Sequence, residues 1–286
     1  MDRRTFIQQG AAGLSAMGLW AGFPNTARAP GRRVKVPVGF QSFVLRNEIS
    51  KQPTEVMTRM ASYGYEQVEM CSPSGYRMAG FAPLAKYSGK ELKKIIEDTG
   101  LTCISSHFTL GEMTTNLDER IAFAQDLGLK YFVCSGGLVS PTLDEVKKKC
   151  AQMNAMGEKI ARAGMIAGYH NHNGEFEEKL DGRPQYDIML DELDGNLVKM
   201  QFQVAAIQVG YKAADYFRKF PGRFISAHLQ DYSTNDKNKQ VVLGQGIVDW
   251  NDFFVAAKTG GLKVVYVEME SDPATLKDSA AYLRNL

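Results

Sequence analysis

The segment GYHNHNGEFE, residues 168–177, gathers the side chains best suited to chemistry. It holds His170 and His172, two of the chain's four histidines, with only Asn171 between them, and Glu175, Glu177 and Glu178 follow at once. Imidazole and carboxylate together can hold a divalent cation, move a proton, or simply make a polar loop. Similar polar groups end several apolar runs: Gln41 in VPVGFQS, Glu69 in YEQVEM, His107 in LTCISSHF and Gln203 in VKMQFQV. His228 and Asp231 close FISAHLQD, and Glu268 and Glu270 close KVVYVEME. What these groups can do depends on the elements that carry them.

Apolar runs of strand length alternate with longer stretches of helical periodicity. The runs are residues 36–42, 65–70, 101–108, 130–135, 165–171, 198–204, 224–230 and 263–270. Between them lie amphipathic segments such as TEVMTRMASYG, GKELKKIIEDTG and LDEVKKKCAQMNAMGEKIARAG, several ending at a glycine just before the next run. Continuous apolar strands joined by helices predict a parallel sheet covered on both faces. Eight such units in one chain of this length predict a single-domain α/β fold, the (β/α)₈ TIM barrel. A doubly wound open sheet is the runner-up, and no G-x-G-x-x-G follows the first strand to support it. In a barrel, groups at the C-terminal strand ends share one rim, so all four histidines are expected on one face.

The ends and the composition bound the function further. MDRRTFIQQG, with Arg3 and Arg4, a short glycine- and alanine-rich stretch, and then TARAP read as an export signal over residues 1–29, leaving 30–286 as the barrel. The arginine pair resembles a twin-arginine (Tat) signal, which predicts a periplasmic protein exported after folding. Residues 1–29 carry three arginines and one aspartate, so the formal net charge of +2 leaves with them. A near-neutral chain without basic clusters is not expected to bind nucleic acid. No later segment approaches membrane-spanning length. Cys71, Cys103, Cys134 and Cys150 show no C-x-x-C spacing and are expected to be buried free thiols.

On such a rim, imidazoles and carboxylates from separate strands suit a borderline divalent cation such as manganese, zinc or cobalt. A cation there could grip two neighbouring oxygens of a sugar while a free carboxylate moves a proton from carbon. Phe40, Phe43, Phe108, Tyr169 and Trp250 could stack on a sugar ring or pack the barrel. GQGIVDW offers Gly244 and Gly246 ahead of Asp249, a turn that could bind phosphate but reads better as a turn and helix cap.

At GYHNHNGEFE, FPGRFISAHLQDY, GQGIVDW and VYVEME the chain resembles the xylose-isomerase-like TIM barrels. That sugar phosphate isomerase/epimerase group also contains inosose dehydratases and endonuclease IV, and the likeness runs from about residue 36 to the C-terminus. It implies a divalent ion held from strands five to eight, at positions filled here by His170, Gln203, His228 and Glu268. Two of these depart from the family's carboxylates: His170 stands for a glutamate and Gln203 for an aspartate. The resemblance implies proton abstraction through an enediolate, with Glu268, Glu175 and His107 as the catalytic candidates. His172, Glu69, Gln41 and Trp250 are the candidate contacts to a small sugar substrate. The expected activity is that of a sugar isomerase or epimerase; alternatives are a lyase or dehydratase on keto-sugars, or a carbohydrate-binding protein on a degenerate scaffold. An abasic-site nuclease rests on fold analogy alone.

Overall fold

A computed structural model describes residues 36–286, so the expected export signal lies outside the described residues. Eight parallel strands close into a barrel: β1 (Val38–Gln41), β2 (Gln67–Cys71), β3 (Thr102–Phe108), β4 (Tyr131–Cys134), β5 (Ile166–His170), β6 (Val198–Gln203), β7 (Phe224–Leu229) and β8 (Val264–Val267). Each pairs with its sequence neighbours, and β1 pairs with β8 to complete the ring. Helices Pro53–Ser62, Gly89–Glu97, Leu110–Leu127, Leu143–Arg162, Gln185–Glu192, Ala213–Lys219 and Trp250–Gly260 alternate with the strands, and Leu276–Asn285 ends the chain. This is the (β/α)₈ architecture that the periodicity predicts. The predicted strands run one to three residues long at their ends, most of all the last: Glu268 and Glu270 lie just past β8.

Local sequence sets the helix boundaries. Ser88 and Glu91 form a reciprocal capping box for Gly89–Glu97, and Thr109 and Glu112 do the same for Leu110–Leu127. Gly128 and Gly261 end their helices in the left-handed conformation that glycine adopts without steric cost. Asp249 caps Trp250–Gly260 by accepting from the Asp252 amide at 3.0 Å.

The barrel interior is divided into two layers. Tyr131, Val133, Ile225, Val264 and Tyr266 make a small apolar plug, separate from the large core between strands and helices. Gly39 makes room for it, because a Cβ there would lie 2.6 Å from the Tyr266 ring. The second layer is polar: Gln41, Glu69, Ser105, Gln201, Ser226 and His228 are all fully buried. Strand register brings these groups together, pairing Gln41 with Glu69, Glu69 with Ser105, His170 with Gln201, and Gln203 with His228. Among the described residues, no helix is long and apolar enough to cross a membrane. The four cysteines are buried free thiols, and burial pushes Cys103 and Cys134 up to about 12.

Candidate active site

Glu69 is the hub of the polar layer. Its Oε2 accepts from Gln41 Nε2 at 2.9 Å and faces His228 Nε2 at 2.5 Å and His107 Nε2 at 3.3 Å. Its Oε1 accepts from Ser105 Oγ at 2.6 Å and Gln201 Nε2 at 2.8 Å. Burial alone would raise the carboxyl's pKa, but the His107 and His228 rings and these hydrogen bonds outweigh it and hold it at about 2.

His228 stands between two carboxylates. Its Nδ1 lies 3.0 Å from Glu268 Oε2, opposite the Glu69 contact. Burial favours the neutral ring, yet Glu268 and Glu69 together raise its pKa to about 10. Gln203 Nε2 also donates to Glu268 Oε2, at 2.5 Å, and Gln230 Nε2 reaches it at 3.3 Å. All three of these bonds fall on Oε2, so Glu268 Oε1 is left for a ligand. Burial would raise the Glu268 pKa, and the His228 charge and hydrogen bond overcome it, keeping the carboxylate ionised.

His107, His170 and His228 each place a nitrogen within 4.8 Å of the others, all three side chains buried. Their rings pack at centroid distances of 4.4–5.1 Å. Burial drives His170 well below its ordinary pKa, and the neighbouring His228, His107 and His172 rings push it further, so it is a neutral lone-pair donor. Two buried atoms here have no hydrogen-bond partner, His170 Nδ1 and Gln203 Oε1. Buried acceptors rarely stay unsatisfied, and lone pairs on imidazole and amide oxygen suit an electron-pair acceptor. The donor set therefore fits a borderline divalent cation, which His170, Gln203, His228 and Glu268 would hold, with His107 adjoining. Such an ion supplies Lewis-acid polarisation of a carbonyl oxygen.

The remaining candidates divide between mouth and scaffold. His172 is exposed and stands edge-on to His170, with ring centroids 4.8 Å apart. Asn171 faces away, its Oδ1 accepting from the Gln203 amide at 3.1 Å, as strand alternation predicts. Glu175, a catalytic candidate in the sequence, is buried in the short helix Gly174–Glu177. Its Oε1 accepts from the Tyr169 hydroxyl at 2.8 Å and its Oε2 from the His172 amide at 2.9 Å, so both oxygens hold the loop in place. The neighbouring Phe176 anchors the same turn among Tyr186, Phe202 and Tyr211.

Trp250, expected to stack on a sugar, is 2% exposed and packs on Phe253, with its indole N–H donating to Asp231 Oδ2 at 2.9 Å. Gln41 and Glu69, expected as substrate contacts, have no exposure and bond to each other. Tyr169 and Phe108 are likewise fully buried. Gln201 went unnoticed in the sequence although it binds Glu69, Ser226 and His107. Its signal was the alternation Lys199, Gln201, Gln203, which places Gln201 on the same face as Gln203. Asp231 disposes of the phosphate reading of GQGIVDW: the Gly244, Gly246 and Val248 amides already donate to its carboxylate.

Comparison with known proteins agrees with this architecture. A sugar phosphate isomerase/epimerase structure from Parabacteroides distasonis is 24% identical, with a TM-score of 0.73, covering 91% of this chain and 96% of that one. The IOLI protein, solved with a bound zinc atom, is 16% identical with a TM-score of 0.64, covering 86% of this chain and 93% of that one. D-psicose 3-epimerase from Clostridium cellulolyticum, solved with D-tagatose, is 14% identical with a TM-score of 0.63, covering 86% and 96%. At these identities the likeness establishes the fold. No curated protein matches the sequence. The description "Xylose isomerase-like TIM barrel" matches residues 57–286, and the chain belongs to that family.

Proposed function

We propose that the chain is a sugar isomerase that moves a proton at carbon next to a carbonyl, with Glu268 as the base. The observation that carries this reading is the loading of Glu268: three N–H donors converge on Oε2 and none on Oε1, while His170 Nδ1 and Gln203 Oε1 are buried without a hydrogen-bond partner. A carboxylate held ionised by its neighbours is ready to accept a proton, and nearby lone pairs fit a cation that would polarise the carbonyl. The proton leaves the carbon beside the carbonyl for Glu268, which becomes neutral as the carbonyl oxygen takes up the negative charge of the enediolate. Glu268 returns the proton to the former carbonyl carbon, and the neighbouring hydroxyl passes its proton to the other oxygen, so atoms and charge are conserved. Because Glu175 is committed to Tyr169 and the His172 amide, Glu268 is the only carboxylate among those two able to serve. One base suits transfer between adjacent carbons on one face; His172 at the mouth contacts sugar hydroxyls. The D-psicose 3-epimerase and sugar phosphate isomerase/epimerase folds support a sugar as the substrate class.

The test is deuterium exchange. Metal-replete protein incubated with a panel of aldoses and ketoses in D₂O should place deuterium on a carbon beside the carbonyl, read by NMR. Glu268→Gln should stop exchange while sugar binding persists. A second reading, a carbohydrate-binding protein, is favoured by the Gln203 and Gln230 amides on Glu268. It would gain if sugars bind and no carbon exchanges. Elimination from a keto-sugar would pass through the same enediolate and show as loss of a β-substituent.

Residues 1–29 are proposed to direct Tat export to the periplasm, supported by Arg3, Arg4 and the small residues Ala27 and Ala29. Replacing both arginines by lysine should retain the protein in the cytoplasm on cell fractionation. An unchanged distribution would overturn the assignment.

A further inference from the structure

Glu69 has no solvent exposure, and both of its oxygens are committed to neighbours. Its Oε2 lies 2.5 Å from His228 Nε2 and 3.3 Å from His107 Nε2. An ionised carboxylate only accepts hydrogen bonds, so a ring nitrogen facing it must carry the proton. The same logic orients Gln201. Its NH₂ group faces Glu69 Oε1 at 2.8 Å and Ser226 Oγ at 2.9 Å, so its carbonyl oxygen is the atom 2.6 Å from His107 Nε2. Both neighbours of His107 Nε2 are therefore acceptors, and both require Nε2–H. The His107 and His228 rings stack at 5.1 Å with an interplanar angle of 14°, and both turn Nε2 toward Glu69.

We propose that Glu69 holds a proton on Nε2 of two histidines at once: on His107 directly and through Gln201, which fixes the tautomer of that ring, and on His228 directly. On His107, Nδ1 is then the ring nitrogen offered to a ligand. On His228, Nδ1 faces the Glu268 carboxylate and carries a proton as well in the metal-free protein, so a cation would take that nitrogen only by displacing the proton. Glu69 is a positioning residue, touching no ligand and acting through the two imidazoles. A carboxylate that orients a histidine in this way raises its basicity and excludes the tautomer unable to bind, and loss of such a partner typically weakens metal binding about 10–100-fold. What Nδ1 meets rests on the metal-assisted reading above; where the protons sit does not.

The experiment is two-bond ¹H–¹⁵N correlation on the ¹⁵N-histidine-labelled full chain, with rings assigned by His107→Gln and His228→Gln. The wild type is expected to show protonated Nε2 on both rings, with and without zinc. In Glu69→Gln the amide can present either a donor or an acceptor, so the preference for Nε2–H is lost. Zinc affinity, measured by competition with a chromophoric chelator, then falls about 10–100-fold. Ser105→Ala removes a different partner of Glu69 and leaves both imidazole contacts, so it keeps the wild-type pattern. Bare Nε2 on either wild-type ring overturns the proposal, and that result needs no variant to fold. Wild-type tautomers in Glu69→Gln overturn it as well. No substrate enters these measurements, so absent sugar turnover with Nε2–H intact counts against the isomerase reading alone.

Discussion

Gln203 Nε2 lies 2.5 Å from Glu268 Oε2, so the amide spends its donor on the carboxylate assigned as base and leaves its own Oε1 buried without a partner. The amide thus does two jobs that an aspartate could not do together. It neutralises part of the Glu268 charge without a cation, and it still offers a carbonyl lone pair to one. The site can therefore hold its shape in the metal-free state and remain open to a metal.

Gln203→Asp tests this balance. A second carboxylate so close to Glu268 repels it unless a cation or a proton lies between them. The metal-free variant should lose stability, with a cost of about 1.4 kcal/mol for each tenfold rise in proton affinity forced on the pair. Magnesium or manganese should restore it, because hard ions favour anionic oxygen. Thermal melts with and without each ion decide the matter. A variant as stable as the wild type without metal, and unmoved by it, would show that Gln203 does not share the site with a cation.

Glu268→Gln keeps the shape and removes the base. Carbon–deuterium exchange should fall roughly 10²–10⁴-fold, the usual worth of a general base, with sugar affinity nearly unchanged. Calorimetry and exchange rates on the same preparation separate the two. Equal exchange in variant and wild type would remove Glu268 from the chemistry.

The Glu69–His228–Glu268 cluster predicts a stability profile with two limbs in metal-free protein. The His228 pKa is raised from 6.5 to about 10, so its contribution is fully present below 6.5 and is lost as pH rises through about 10. The Glu69 pKa is lowered from 4.5 to about 2, so its contribution is present above 4.5 and is lost as pH falls through about 2. Urea midpoints should be highest between these limbs. His228→Gln should flatten the alkaline limb relative to wild type; an identical alkaline limb in the variant would mean that the ring is not held charged between the two carboxylates.

The barrel was legible because eight strand-like runs and the helices between them carry strong, regular apolar periods. The rim was legible because histidines and carboxylates end those runs. Depth inside the barrel was not. Gln41, Glu69 and His107 also sit near strand ends, yet register places Glu69 beside Ser105 and beneath the mouth, where it binds protein rather than sugar. Glu175 and Trp250 failed as candidates for a related reason. Each has a polar handle that another protein group claims, Tyr169 from the same segment in one case and Asp231 from the end of β7 in the other. Sequence spacing shows which strand a group belongs to, but not which neighbour reaches it first.

Asp231 shows the same principle at the loop that was a candidate phosphate turn. Its two oxygens accept from the amides of Tyr232, Gly244, Gly246 and Val248 and from the Trp250 indole, at 2.9–3.2 Å. The close approach explains Gly246, where a Cβ would lie 2.2 Å from Asp231 Oδ1. Hydrogen bonds to a charged acceptor are worth about 1.5–3 kcal/mol each, though donors that reach water on its removal recover part of that. Asp231→Asn swaps one acceptor for a donor and should destabilise the fold by about 2–4 kcal/mol. Amide exchange at Gly244, Gly246 and Val248 should quicken by a larger factor than exchange in β3 or β4, because the loop opens before the barrel does. Inorganic phosphate should not slow exchange at these amides in the wild type, since their donors are already occupied. Protection by phosphate would return the loop to the list of anion sites.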